Sequence, residues 1–118
     1  MIDSLSIKTY ALESNQDVTV MELVGHLDSI TSSQVERALN ALLDQKKFKL
    51  VVDLTGVNYI SSAGWGIFIG ILKEVRLHQG DLKLSGVNDD VREVFKLLEI
   101  DFYLPLFKTT GEAVAAFA

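Results

Sequence analysis

The period of the apolar residues changes several times along the chain, and each change predicts a new element. Leu5 to Glu13 alternates loosely, with Leu5, Ile7, Thr9 and Ala11 on one side, and Ser14-Asn15-Gln16 then supplies turn residues. Val18 to Val24 is apolar on both sides, Val18, Val20 and Val24 against Met21 and Leu23. The pair predicts a hairpin whose second strand lies inside a sheet. Phe48 to Leu54, with Leu50, Val51 and Val52 in succession, predicts a strand covered on both faces. Leu82 to Val87 predicts a shorter strand. Tyr103 to Phe107 predicts a last one, confined to an edge because Pro105 has no N–H for a ladder bond.

Between these strands the apolar spacing becomes helical. Val35, Ala38, Leu39, Leu42 and Leu43 define one face of an amphipathic helix. Thr31, Ser32 and Ser33 precede it, and Gln34 and Glu36 offer two capping-box registers. Ala63 to Gln79 repeats the spacing with Ile67, Phe68, Ile71, Leu72 and Val75, and Gly80 stands where a C-cap glycine would. A third helix is expected from about Asp90 to Leu98, capped by Asn88 or Asp89. A last one is expected over Gly111 to Phe117, after Thr109 or Thr110. With no linker or internal repeat, the pattern is that of one α/β domain, a hairpin followed by βα units.

The most informative joint runs from Asp53 through Ser61-Ser62-Ala63-Gly64-Trp65-Gly66. A buried strand ends near Asp53 or Leu54, a loop follows, and a helix begins at Ser61 or Ser62. Partners and ligands of open α/β sheets meet the protein beyond the carboxyl ends of its strands. A helix N-terminus there has free N–H groups and a partial positive charge, which favours an anion such as phosphate. An N-cap role explains one serine completely, but two are present. Gly64, Gly66 and Gly70 each cost helix stability. They leave backbone open for close helix–sheet packing or for another protein. Trp65 is either core or a contact anchor.

Composition narrows the function. The 118 residues are 48% hydrophobic and 23% charged, which excludes disorder. The longest uncharged run, Leu54 to Leu72, is broken by Gly, Ser, Thr and Asn, so no membrane span is expected, and MIDSLSIKTY has no signal-peptide pattern. The absence of cysteine removes disulfides and thiolate metal sites and fits a reducing cytoplasm. Eleven basic against sixteen acidic residues give a net charge of −5, which argues against direct nucleic-acid binding. The densest basic group is Lys46, Lys47 and Lys49. Ser62, His26 or His78, and Asp53 or Asp28 supply the residue types of a hydrolytic triad, but no nucleophile elbow surrounds any serine. No His pair has metal-ligand spacing. Catalysis, metal and cofactor are therefore not expected. A phosphoacceptor receiver domain has similar length, but its acidic pair at the end of the first strand is missing here.

The order of hairpin, Gly25-His26-Leu27-Asp28, capped helix, buried strand, Ile60-Ser61-Ser62-Ala63-Gly64-Trp65-Gly66 and helix resembles the STAS domain. More narrowly, it resembles the bacterial anti-sigma factor antagonists of sporulation and general stress control. The resemblance covers the whole chain. It implies a single α/β domain over residues 1–118, a mixed sheet of four to five strands starting with a hairpin, and about four helices. In that family the helix opens Asp-Ser-Ser-Gly or Asp-Ser-Thr-Gly, and the first serine is phosphorylated by a kinase that is itself the anti-sigma factor. Gly64 matches the motif glycine and Ser62 the phosphorylated serine, with Ser61 as second choice. Ala63 takes the second hydroxyl position, Ser61 replaces the usual Asp, and Asp28 matches an aspartate near the site. The resemblance implies a partner-facing set of Asp28, Ser61, Ser62, Ala63, Gly64, Trp65 and Gly66. It also implies an anti-sigma factor serine kinase and a PP2C-type phosphatase as partners, in a cytoplasmic monomer or weak dimer. A scaffold or partner switch with a non-transcriptional output stays open beside it.

Overall fold

A computed structural model describes residues 5–99 and 104–117. β1 (Ser6–Leu12) and β2 (Asn15–Leu27) form the predicted antiparallel hairpin, with Tyr10 opposite Val20 and Ser6 opposite Val24. β2 then pairs in parallel with β3 (Lys49–Ile60), β3 with β4 (Asp81–Ser85), and β4 with β5 (Leu106–Phe107). The result is a mixed sheet in the order β1-β2-β3-β4-β5. The helices are α1 (Ser29–Asp44), α2 (Ser62–Leu77), α3 (Asp89–Leu97) and α4 (Thr110–Ala115). Among the described residues, no helix is long and apolar enough to cross a membrane.

The apolar run Val51-Val52 has the predicted meaning, because the sheet is covered on both sides. Val52 joins Leu50 and Leu84 under α1, α2 and α3, which contribute Leu39, Phe68 and Phe95. Val51 joins Val18 and Val20 under Ala113 and Val114 of α4. Burying side chains of this size contributes about 1.5–3 kcal/mol each, so the continuous run commits β3 to the centre of the sheet.

Four expectations need correction. The loop expected after Leu54 is strand: β3 continues to Ile60 and β2 to Leu27. Register shifts between Glu22 and Val24, and between Gly25 and His26, break the alternation that would have advertised these extensions. Gly25 has φ 134°, a conformation that side-chain-bearing residues rarely adopt. α1 starts at Ser29 rather than after a cap at Thr31 or Ser33, because Asp28 caps it and places Thr31 and Ser32 inside the helix as buried residues. At the end of α2 the left-handed position is filled by Gln79 at φ 61°, not by Gly80. Gly80 is required for a different reason, since a Cβ there would collide with the Phe48 backbone. Finally, β4 stops at Ser85, and Val87 packs into the core from the connection to α3. The last strand lies at the expected edge, directly after Pro105, whereas Tyr103 is outside the described residues.

Candidate functional site

Leu27 pairs with Ile60 across the parallel β2–β3 ladder, so the two strands leave the sheet together and α1 and α2 begin side by side. The Ser61 N–H donates to the Leu27 carbonyl at 2.8 Å, which fastens one helix start to the other. The caps differ in kind. At α1, the Asp28 carboxylate accepts the N–H groups of Ile30 and Thr31, both at 2.9 Å. The Thr31 hydroxyl accepts the Asp28 N–H at 3.0 Å and donates to the His26 carbonyl at 2.6 Å. The Thr31 amide and hydroxyl, then the Ile30 amide and the nearby His26, hold the Asp28 carboxyl below the usual carboxylate range. It is an anion at neutral pH.

At α2 the cap is Ser61. Its Oγ accepts the Gly64 N–H at 3.3 Å and its carbonyl accepts the Trp65 N–H at 3.1 Å. Ser62 is the first helical residue and is exposed. Its hydroxyl has no hydrogen-bond partner among the described residues. The two serines flagged in the sequence therefore have different positions, one committed to backbone and one facing solvent. The Ser62 and Ala63 N–H groups are orphan donors of the first turn, and that turn carries no acidic residue to oppose an anion.

The next residues divide in the same way. Gly64 is buried, and a Cβ there would stand 2.9 Å from Ile60 Cγ2 and 3.2 Å from Ser32 Oγ. Its smallness lets α2 approach the strand ends and α1. Trp65, which the sequence left between core and contact anchor, is 2% exposed and packs on Phe68 and Phe95 at ring-centroid distances of 6.3 and 5.4 Å. Of the expected partner-facing set, Trp65 and Gly64 are buried, whereas Ser62, Ala63 and Gly66 are exposed. Gly66 and Gly70 meet open space, and with exposed Ala63 they line a groove of about 530 Å³ between α1 and α2.

Two features were not legible in the sequence. Ile30, on the first turn of α1 beside Asp28, is 71% exposed, although its neighbours read as capping residues. Ser32 is 1% exposed with an unpartnered Oγ facing the Gly64 position. Exposed Tyr59 and Val94 border a small apolar hollow that Trp65 also lines. Of the residue types of a triad, His26 and Asp28 lie near each other at the end of β2, with no side-chain hydrogen bond between them among the described residues, and the other two candidates are elsewhere. His78 caps the far end of α2, about 24 Å along the helix from Ser62, and Asp53 Oδ1 is engaged by the Thr55 hydroxyl at 2.6 Å.

The sequence pattern of the STAS domain matches residues 9–113. The chain belongs to the STAS domain family. A relative from Listeria monocytogenes, named anti-sigma-B factor antagonist, is 28% identical over 108 residues, covering 92% of this chain and 95% of that protein. BtrV of Bordetella bronchiseptica, named as a candidate anti-sigma factor antagonist, is 35% identical over 95 residues, or 80% of this chain and 82% of its own. The crystal structure of an anti-sigma factor antagonist from Mycobacterium paratuberculosis superposes with a TM-score of 0.85 at 24% identity, covering 97% of this chain and 94% of that one. This STAS domain thus shares its five-strand sheet and four helices with solved members of the family.

Proposed function

We propose that this STAS domain is an anti-sigma factor antagonist that works by partner switching. Unphosphorylated, it binds a serine kinase that doubles as the anti-sigma factor and frees the sigma factor. Phosphorylated on Ser62, it is released, and a PP2C-type phosphatase resets it. The effect on transcription is indirect, the chemistry belongs to the kinase, and the domain acts in the cytoplasm as a monomer or weak dimer.

The observation that carries this reading is the exposed, uncommitted Ser62 hydroxyl on the first turn of α2, with Ser61 already serving as the cap. Phosphorylation would add about −1.5 to −2 charges there. The helix start favours that charge locally, so the fold tolerates the modification. A docked partner does not, because the added charge must be desolvated in the interface beside the Asp28 carboxylate. Exposed Ile30, Tyr59 and Val94 supply apolar contact area around this polar centre, an arrangement that suits a protein partner. Ser61 in place of the family's Asp removes one carboxylate from the helix start but leaves the acceptor hydroxyl.

The test uses the anti-sigma-type kinase of the same organism and measures binding with and without Mg·ATP. Wild type should lose its partner once ATP is supplied, Ser62→Ala should hold it under both conditions, and Ser62→Asp should bind more weakly than Ser62→Ala. Wild type that holds its partner equally before and after ATP would refute the switch.

A further inference from the structure

The densest basic group of the sequence takes no part in the Ser62 site. It lies at the opposite end of the sheet, where α1 and α2 finish with the same pair of hydrogen bonds. Lys46 N–H donates to the Leu43 carbonyl and Lys47 N–H to that of Leu42. Gln79 N–H donates to the Arg76 carbonyl and Gly80 N–H to that of Val75. The chain reverses at Lys46, φ 63°, and at Gln79, φ 61°. The two turns are pinned together by Phe48 and His78, whose rings stack 4.2 Å apart and 4° from parallel. Between these turns and the start of β2 is a hollow of about 360 Å³.

Lys46, Lys47 and Lys49 all line it, against one carboxylate, Asp17. Lys46 and Lys47 are exposed, Lys49 is half-buried, and none forms an ion pair among the described residues. Compensation of the α1 dipole accounts for a cation near Lys46 or Lys47. It does not account for Lys49, the first residue of β3, nor for gathering three like charges around one concavity in a chain of net charge −5. Like charges at close range repel, and a multivalent anion relieves that repulsion. Gln16 at the start of β2 and Gln79 in the turn after α2 also line the hollow, and their side-chain amides add neutral donors. The volume suits a small ligand rather than a single ion.

We propose that this hollow binds a small multivalent oxyanion of the phosphate class, at a site separate from Ser62. Lysines are suited to this as mobile point charges that follow the ligand's oxygens without a fixed fork geometry.

The probe is inorganic tripolyphosphate, followed by backbone amide shifts of the whole domain, with chloride at matched ionic strength and inorganic phosphate as comparisons. Tripolyphosphate should move the amides of residues 46–49, 79 and 80 saturably, and more tightly than inorganic phosphate. The double variant Lys47→Gln/Lys49→Gln should weaken it roughly tenfold. Lys46→Gly keeps the left-handed turn, so it should fold at least as well as wild type and still bind tripolyphosphate more weakly. Shifts that chloride reproduces, shifts confined to the start of α2, or undiminished binding by both variants would each overturn the proposal. None of these outcomes depends on whether Ser62 is phosphorylated.

Discussion

A 2.8 Å hydrogen bond from the Ser61 N–H to the Leu27 carbonyl ties the start of α2 to the end of β2. With its backbone held there, Ser61 turns its hydroxyl onto Gly64 and leaves Ser62 outside. Adjacent serines should therefore behave differently. Ser61→Ala removes a cap and should cost about 1 kcal/mol. Ser62→Ala should stay within about 0.5 kcal/mol of wild type. Urea midpoints with unchanged slopes would establish both values, and equal losses at the two positions would show that the cap is shared.

The glycines of α2 offer a second contrast. Gly64→Ala gains about 1 kcal/mol of helix propensity but forces a methyl group to 2.9 Å from Ile60 Cγ2, and overpacking of this kind costs about 1–3 kcal/mol. The net change should be destabilising. Gly66→Ala meets nothing within 4 Å and should stabilise by up to about 1 kcal/mol. Thermal unfolding of the two variants should therefore move in opposite directions.

Much of this arrangement was legible in the residues. The consecutive Leu50-Val51-Val52 gave a doubly covered strand, and Ser61-Ser62 before a helical period gave the joint itself. What stayed hidden has physical causes. Thr55 to Tyr59 alternates poorly because the β2–β3 ladder slips register twice, so a strand read as a loop. Asp28 is hidden as the α1 cap because Thr31, Ser32 and Ser33 offer competing capping patterns three residues on, whereas the strand end places Asp28 first. Trp65 was ambiguous because its neighbours in the core, Phe68 and Phe95, come from two helices. No local pattern predicts that meeting.

Trp65 is the sole tryptophan, so it can be read directly. Buried to 2% exposure, it should emit at short wavelength and resist quenching by iodide. Unfolding should shift the emission to the red and open it to quencher. Strong iodide quenching of the native protein would restore Trp65 to the contact surface.

Acid should act through Asp81 as well as Asp28. Burial pushes the Asp81 carboxyl up, but the Lys83 ammonium at 2.9 Å, the Leu82 amide and the Arg76 guanidinium together outweigh it and leave it below the ordinary value. A carboxyl depressed in the folded state contributes stability above its unfolded pKa, and that contribution fades as pH falls through the folded one. Stability should therefore drop from about pH 4 downward. Urea midpoints of Asp81→Asn should be lower at neutral pH and vary less with acid over the same range.

The central claim is that the Ser62 hydroxyl is the phosphate acceptor. Its most direct test is fragment mass analysis of the domain after reaction with its anti-sigma-type kinase and Mg·ATP. One phosphate localised to Ser62, and lost in Ser62→Ala, is the result predicted. A phosphate on any other residue, or none under conditions where the kinase is active, would contradict it.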